Sequence, residues 1–131
     1  MAALTNRERE FLARHELCRL ATASKEAVPH VVPVIYALDG DNIVVAIDYK
    51  TRKLRNLREN SRVALVVDEY GTQSGNEGLL VQGSCEILER GQEYLRLLKV
   101  LFDRFEFYRR NPWGEGESPI IYIRPDKCVM W

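Results

Sequence analysis

Apolar and polar positions along this chain follow two periods, and the switches between them mark its elements. Thr5-Asn6-Arg7-Glu8 has the hydroxyl-to-glutamate spacing of a capping box, and Leu4, Phe11, Leu12 and Leu17 supply a modest apolar stripe. This predicts a helix over about residues 6–15. Cys18-Arg19-Leu20-Ala21-Thr22-Ala23-Ser24 alternates as a strand does, and Lys25-Glu26-Ala27 reads as a turn. Val28 to Leu38 is a long β-branched run that carries Pro29 and Pro33. Proline cannot donate to a ladder, so the run is expected at an edge, at a bulge or with an unpaired face. Two prolines four residues apart put their missing donors on one side. The backbone groups beside them are left either as a plain edge or to meet a planar ligand with hydrogen-bonding edges.

Asp39-Gly40-Asp41-Asn42 is a hairpin turn, and Ile43 to Asp48 is the returning strand. A short helix is predicted from Arg52, with Thr51 as its N-cap and Leu54 and Leu57 as its apolar face. Ser61 to Asp68 is another strand. Glu69 to Gly78, with Gly71, Gly75 and Gly78, is a loop longer than a hairpin needs. Leu79 to Leu88 is a long strand in which Gly83 suggests a bulge or a barrel corner. Gln92 to about Arg109 is the longest helical pattern, with Tyr94, Leu97, Leu98, Leu101, Phe102 and Phe105 at three- and four-residue spacing. After a loop at 111–118, two last strands are expected, Pro119 to Arg124 and Lys127 to Trp131, split by Pro125-Asp126. Six or seven strands in hairpins with three helices do not make a βαβ series. The expected fold is mainly β with peripheral helices, a small closed antiparallel barrel that leaves no exposed edges.

Composition narrows the functional classes. A chain of 131 residues is expected to form one domain, 1–131, with a substantial core. Its 19 basic and 19 acidic side chains cancel, so nothing global points to nucleic acid, and any anion recognition must be local. No apolar run has the length of a membrane span, and the charged N-terminus lacks a signal-peptide core. Cys18, Cys85 and Cys128 sit in apolar strand segments without metal spacing, which is expected of buried thiols in a reducing cytoplasm.

The local anion signal is at Lys50-Thr51-Arg52-Lys53. A helix start prefers acids, and this one carries three cations and no acid before Glu59. Either it is a solvated basic face, or an anion such as a phosphate sits on the first-turn N–H groups. No Ser/His/Asp grouping, metal motif, P-loop or GxGxxG is present. His30 is a candidate for substrate contact, and Trp113 and Trp131 are candidates for stacking on a ring. With no evident nucleophile or acid pair, catalysis here is expected to depend on a cofactor.

Two segments together resemble the pyridoxamine 5′-phosphate oxidase-like superfamily, the FMN-binding split β-barrel: Val28-Pro29-His30-Val31-Val32-Pro33-Val34-Ile35-Tyr36 and Thr51 to Leu65. Pro125 to Trp131 is similar to its closing strand. The likeness covers nearly the whole chain and is greatest for short members that bind FMN or the deazaflavin F420. It implies a flavin phosphate on Thr51, Arg52 and Lys53 with help from Lys50. It also implies a flavin ring edge on the backbone of Val31, Val32, Pro33 and Val34, and a ribityl chain along Ile47 and Asp48. It further implies a homodimer with flavin between the subunits and redox chemistry on a small substrate, for which His30 and Trp131, read from the residues themselves, are the candidate contacts. The alternatives are an F420-dependent reductase, or a flavin-binding or sensing protein without turnover. The chain has no Arg-x-His element near its end, and Gly78 stands near the family's glutamine position, which argues against vitamin B6 oxidation.

Overall fold

The computed structural model describes residues 4–71 and 75–131. Thr5 caps α1 (Asn6–Ala13): its hydroxyl accepts from Glu8 N, and its own N–H donates to the Glu8 carboxylate at 2.8 Å. The first strands are β1 (Leu17–Ala23), β2 (Pro29–Ile35), β3 (Ala37–Asp39) and β4 (Asn42–Ala46). Then follow α2 (Arg52–Glu59), β5 (Arg62–Glu69) and β6 (Glu77–Leu88). The chain ends with α3 (Gln92–Arg104), α4 (Glu106–Arg110) and β7 (Ile120–Met130). Seven antiparallel strands form one sheet in the order β2-β1-β5-β6-β7-β4-β3, curled into a split β-barrel that is open at β2 and β3, so the expected closure without exposed edges is not met.

The two outermost strands of that order, β2 and β3, are consecutive in the chain. The run expected as one strand over 28–38 therefore breaks at Tyr36 and serves both ends of the sheet. Tyr36 donates its N–H to Glu16 O and its hydroxyl to Leu12 O, at 3.0 and 2.6 Å. Both bonds tie the corner to the segment between α1 and β1. Its fully buried ring fills the core there.

Two apolar layers explain which strands alternate. Cross-strand partners share a face, so Val32, Leu20, Leu65, Val81 and Cys128 form one inward row. In β4 and the start of β7 both faces are covered. Ile43, Val45, Ile121 and Ile123 point into the barrel. Val44, Ile120 and Tyr122 pack under α3 against Tyr94, Leu97 and Leu101. Those segments consequently lack alternation.

Two further expectations are corrected. The helical pattern over 92–109 is interrupted at Phe105, which is extended (φ −114°, ψ 113°) and buried. Arg109 folds back from α4 and donates to the carbonyls of Phe102 and Asp103, which the end of α3 leaves without helical partners. The final two strands are one continuous strand. Gly83 stands opposite Pro125, and the register slips between Gln82 and Gly83, so a bulge absorbs the proline that the sequence suggested as a break. Of the loop expected over 69–78, residues 72–74 lie outside the described residues.

Candidate functional site

Parity fixes what β2 offers. Ser24 N donates to Val28 O and Tyr36 N to Glu16 O, so even-numbered residues of β2 pair with β1. The odd-numbered ones, Pro29, Val31, Pro33 and Ile35, turn their backbone groups to the free side. Both missing proline donors therefore fall where no strand needs them. The N–H of Val31 and the carbonyls of Val31 and Pro33 face outward along an edge.

Beside that edge lies the start of α2. Thr51 caps it: its hydroxyl donates to Asp48 O at 2.8 Å and accepts from Leu54 N at 3.4 Å. The hydroxyl proton is thus committed to the turn. The first-turn N–H groups of Arg52 and Lys53 have no carbonyl one turn back within the helix. The turn contains no acid. Among the described residues no carboxylate lies within ion-pairing distance of Lys50, Arg52 or Lys53, although most other arginines here hold one. Leu54, Asn56 and Leu57 anchor the helix from its buried side. Asn56 donates to Thr22 Oγ1 at 3.0 Å, which locks α2 onto β1.

Arg52 and Lys53 open onto two different cavities. The one beside Arg52, about 360 Å³, is also lined by Ser24, Glu26, Val28, Pro29, His30 and Asn56. His30 Nδ1 is buried there without a hydrogen-bond partner, the sole such side-chain atom among the described residues. An orphaned buried donor or acceptor costs about 1–3 kcal/mol, so a turn of the ring that gave this nitrogen a polar partner would be favoured. The cavity beside Lys53, about 490 Å³, runs past Val34, Ile35, Ala46, Ile47 and Asp48 to Phe107, Tyr108, Asn111 and Trp113. Burial raises the Tyr108 hydroxyl pKa, with the Asp48 charge adding to it, so that hydroxyl stays protonated near neutrality.

The structure therefore gathers Val34, Ile47, Asp48 and Lys53 around one space and puts His30 with Arg52 around the other. Val31, Val32 and Pro33 lie along the edge strand beside both. Lys50 is exposed in the turn before Thr51 and lines neither cavity. Trp131 is elsewhere, on the outer face. Its backbone pairs with Gly78, its ring lies against Gly78, and its indole N–H donates to Tyr70 Oη at 2.9 Å. Phe107, Tyr108 and Asn111 were not identified as site residues. Phe107 and Tyr108 fall within the helical run over 92–109 without a separate signal, whereas Trp113 stands out as an aromatic in a loop. Among the described residues no cluster of His, Cys, Asp or Glu could hold a metal ion, and no helix is long and apolar enough to cross a membrane.

Comparison with known proteins identifies the family. The family model described as pyridoxamine 5′-phosphate oxidase matches residues 4–127. A curated relative, the 5a,11a-dehydrotetracycline/5a,11a-dehydrooxytetracycline reductase of Streptomyces rimosus, is 30% identical over 97% of this chain and 82% of its own length. Among solved structures, an FAD-binding protein from Mesorhizobium loti superposes with a TM-score of 0.76 at 23% identity, covering 97% of this chain and 94% of that one. The heme storage protein HutZ from Vibrio cholerae has a TM-score of 0.81 at 18% identity, covering 99% and 94%. At those identities the two structures attest the fold alone. The family match and the reductase attest descent: this chain belongs to the pyridoxamine 5′-phosphate oxidase-like family.

Proposed function

We propose that this protein is a flavin-dependent oxidoreductase, a homodimer of one-domain chains that holds FMN non-covalently between its subunits. The observation that carries the reading is the start of α2, where two cations without carboxylate partners open onto cavities on either side. Arg52, Lys53 and the first-turn N–H groups hold the phosphate, with Lys50 adding long-range attraction. Thr51 shapes this anchor through its cap. The orphaned His30 nitrogen on the Arg52 cavity supports a place for His30 beside the same anion, rather than against substrate. The outward edge of Val31, Val32, Pro33 and Val34 meets the ring, and Ile47 and Asp48 line the path between ring and phosphate.

When bound, FMN supplies the electron and hydride chemistry. The chain binds, orients and excludes water. The apolar wall of Val34, Ile35, Ala46 and Ile47 keeps the reacting face dry. Kinship with a reductase supports turnover over mere storage of the cofactor.

The protein as purified is expected to be yellow, and FMN is expected to raise its melting temperature more than F420 does. If neither cofactor stabilises it, the reading fails; if only F420 does, the deazaflavin alternative replaces it. Arg52→Ala with Lys53→Ala is expected to weaken FMN binding by several kcal/mol, since each charge-assisted bond contributes roughly 1.5–3 kcal/mol. Unchanged affinity in a titration of flavin fluorescence removes the phosphate assignment.

A further inference from the structure

The far wall of the larger cavity is not needed to hold a phosphate, a ribityl chain or a ring edge, yet it is built with care. Trp113 is fixed from three directions. Its indole N–H donates to Tyr94 Oη at 3.0 Å, and Tyr94 Oη in turn donates to Ser118 O at 2.6 Å. Its ring meets Phe102 edge to face at 4.9 Å, and Tyr108 at 4.7 Å with the planes 86° apart. Tyr108 and Trp113 thus make a rigid corner of one ring face and one ring edge. At the lip of the same cavity stands Phe107, 67% exposed, the most exposed of the large apolar side chains described. Its carbonyl accepts from the Asn111 side chain at 2.9 Å, which steadies the short helix that carries it.

Such a corner favours a flat ring, which stacks on one aromatic and meets the edge of the other. A saturated, puckered skeleton cannot do both. Charge narrows the class further. Lys53 is the one cation among the residues that line this cavity, against two carboxylates, Asp48 and Glu117. A phosphate on the substrate would have to share that one cation with the cofactor phosphate, and it would meet two carboxylates.

We propose that Phe107, Tyr108 and Trp113 form the substrate-selecting wall of this protein, and that the wall takes flat, conjugated ring systems without a phosphate group. The inference rests on the flavin reading for which face of the wall is left to substrate.

The test is calorimetric titration of the FMN-saturated protein with three probes. These are 1,4-dihydroxyanthraquinone (flat, three fused rings), cholate (saturated, four fused rings) and pyridoxamine 5′-phosphate (flat, phosphate-bearing). The anthraquinone is expected to bind at least about tenfold more tightly than either of the others. Phe107→Ala, at an exposed position that leaves the core intact, is expected to weaken it about three- to tenfold while changing FMN affinity by less than about twofold. Trp113→Leu, checked by its melting temperature, is expected to weaken the anthraquinone further. Equal binding of cholate or of pyridoxamine 5′-phosphate overturns the proposal. So does an unchanged anthraquinone affinity in Phe107→Ala, or a parallel loss of FMN affinity, which would give the wall to the cofactor. If FMN does not bind the wild-type chain, the flavin reading falls separately. The same anthraquinone comparison on the cofactor-free chain then decides the wall by itself.

Discussion

Gly83 is the residue whose side chain would do most harm. A Cβ there would overlap the carbonyl of Arg124, a backbone atom fixed by the β6–β7 ladder that cannot swing away. Gly83→Ala is therefore expected to lower unfolding stability by about 1–3 kcal/mol, as overpacked core substitutions do, measurable as a shift in urea midpoint. The thiols give a second expectation at this scale. Burial pushes Cys18 up to about 12 and Cys85 and Cys128 up to about 11, so none offers appreciable thiolate near neutral pH. Alkylation near pH 8 should leave Cys18 unmodified in the folded protein and reach all three in denaturant; rapid native labelling of Cys18 would contradict its place in the core. The burial of Cys18 was legible from its apolar neighbours, whereas Cys85 and Cys128, expected to be buried too, are only half-buried. The partnership of Gly83 with Pro125 was not, because it joins positions from two separate apolar runs.

The elements that sequence could not divide are those whose apolar pattern does not pause. Nothing in Pro29 to Leu38 says that the strand leaves one end of the sheet at Tyr36 and joins the other, since the decisive bonds go to Glu16 and Leu12. The spacing of Leu101, Phe102 and Phe105 likewise continues across the break between α3 and α4. By contrast, the start of α2 was readable to the residue, because cap, charge and apolar spacing are all local there. An ion-pair knot secures α3 over the β3–β4 hairpin. Arg96 donates to both Asp39 oxygens, at 2.9 and 2.8 Å, and the Tyr122 hydroxyl donates to Asp39 at 2.8 Å. The Arg96 guanidinium holds the Asp39 carboxyl below its ordinary value of 3.8, with Tyr122 assisting. A depressed folded value means the contribution is present above that ordinary value and is lost as pH falls through the folded one. Melting temperatures taken from about pH 6 down to about pH 3 should therefore fall more steeply for the wild type than for Asp39→Asn, which lacks the titrating group. Parallel curves would show that the knot adds nothing to stability.

At the scale of the molecule, the outer face of the sheet is the part that one chain does not explain. Pro33, Arg19, Val66, Leu80 and Val129 stand directly opposite one another across five strands, so they share a face. It is the face opposite the inward row. Val31 is 63% exposed on this face and Leu17 is 46% exposed, with Val129 and Trp131 at its other end. Apart from Arg19, which pairs with Asp68, the row is apolar, and exposed apolar side chains grouped this way suit the interface of the proposed dimer. This strip borders the free edge of β2, so a second copy laid on it would bring its own residues to the edge that we assign to the flavin ring. That continuity joins assembly to cofactor binding. Val31→Glu puts a carboxylate into the strip while leaving the barrel interior untouched. A buried unpaired charge costs several kcal/mol, enough to break a dimer at micromolar concentration. Light scattering should then report a monomer for Val31→Glu and a dimer for the wild type, and FMN affinity should fall together with the dimer. A variant that stays dimeric with full FMN affinity would put the interface elsewhere. One that turns monomeric but still binds FMN tightly would separate the two, because the flavin site would then be complete within one chain.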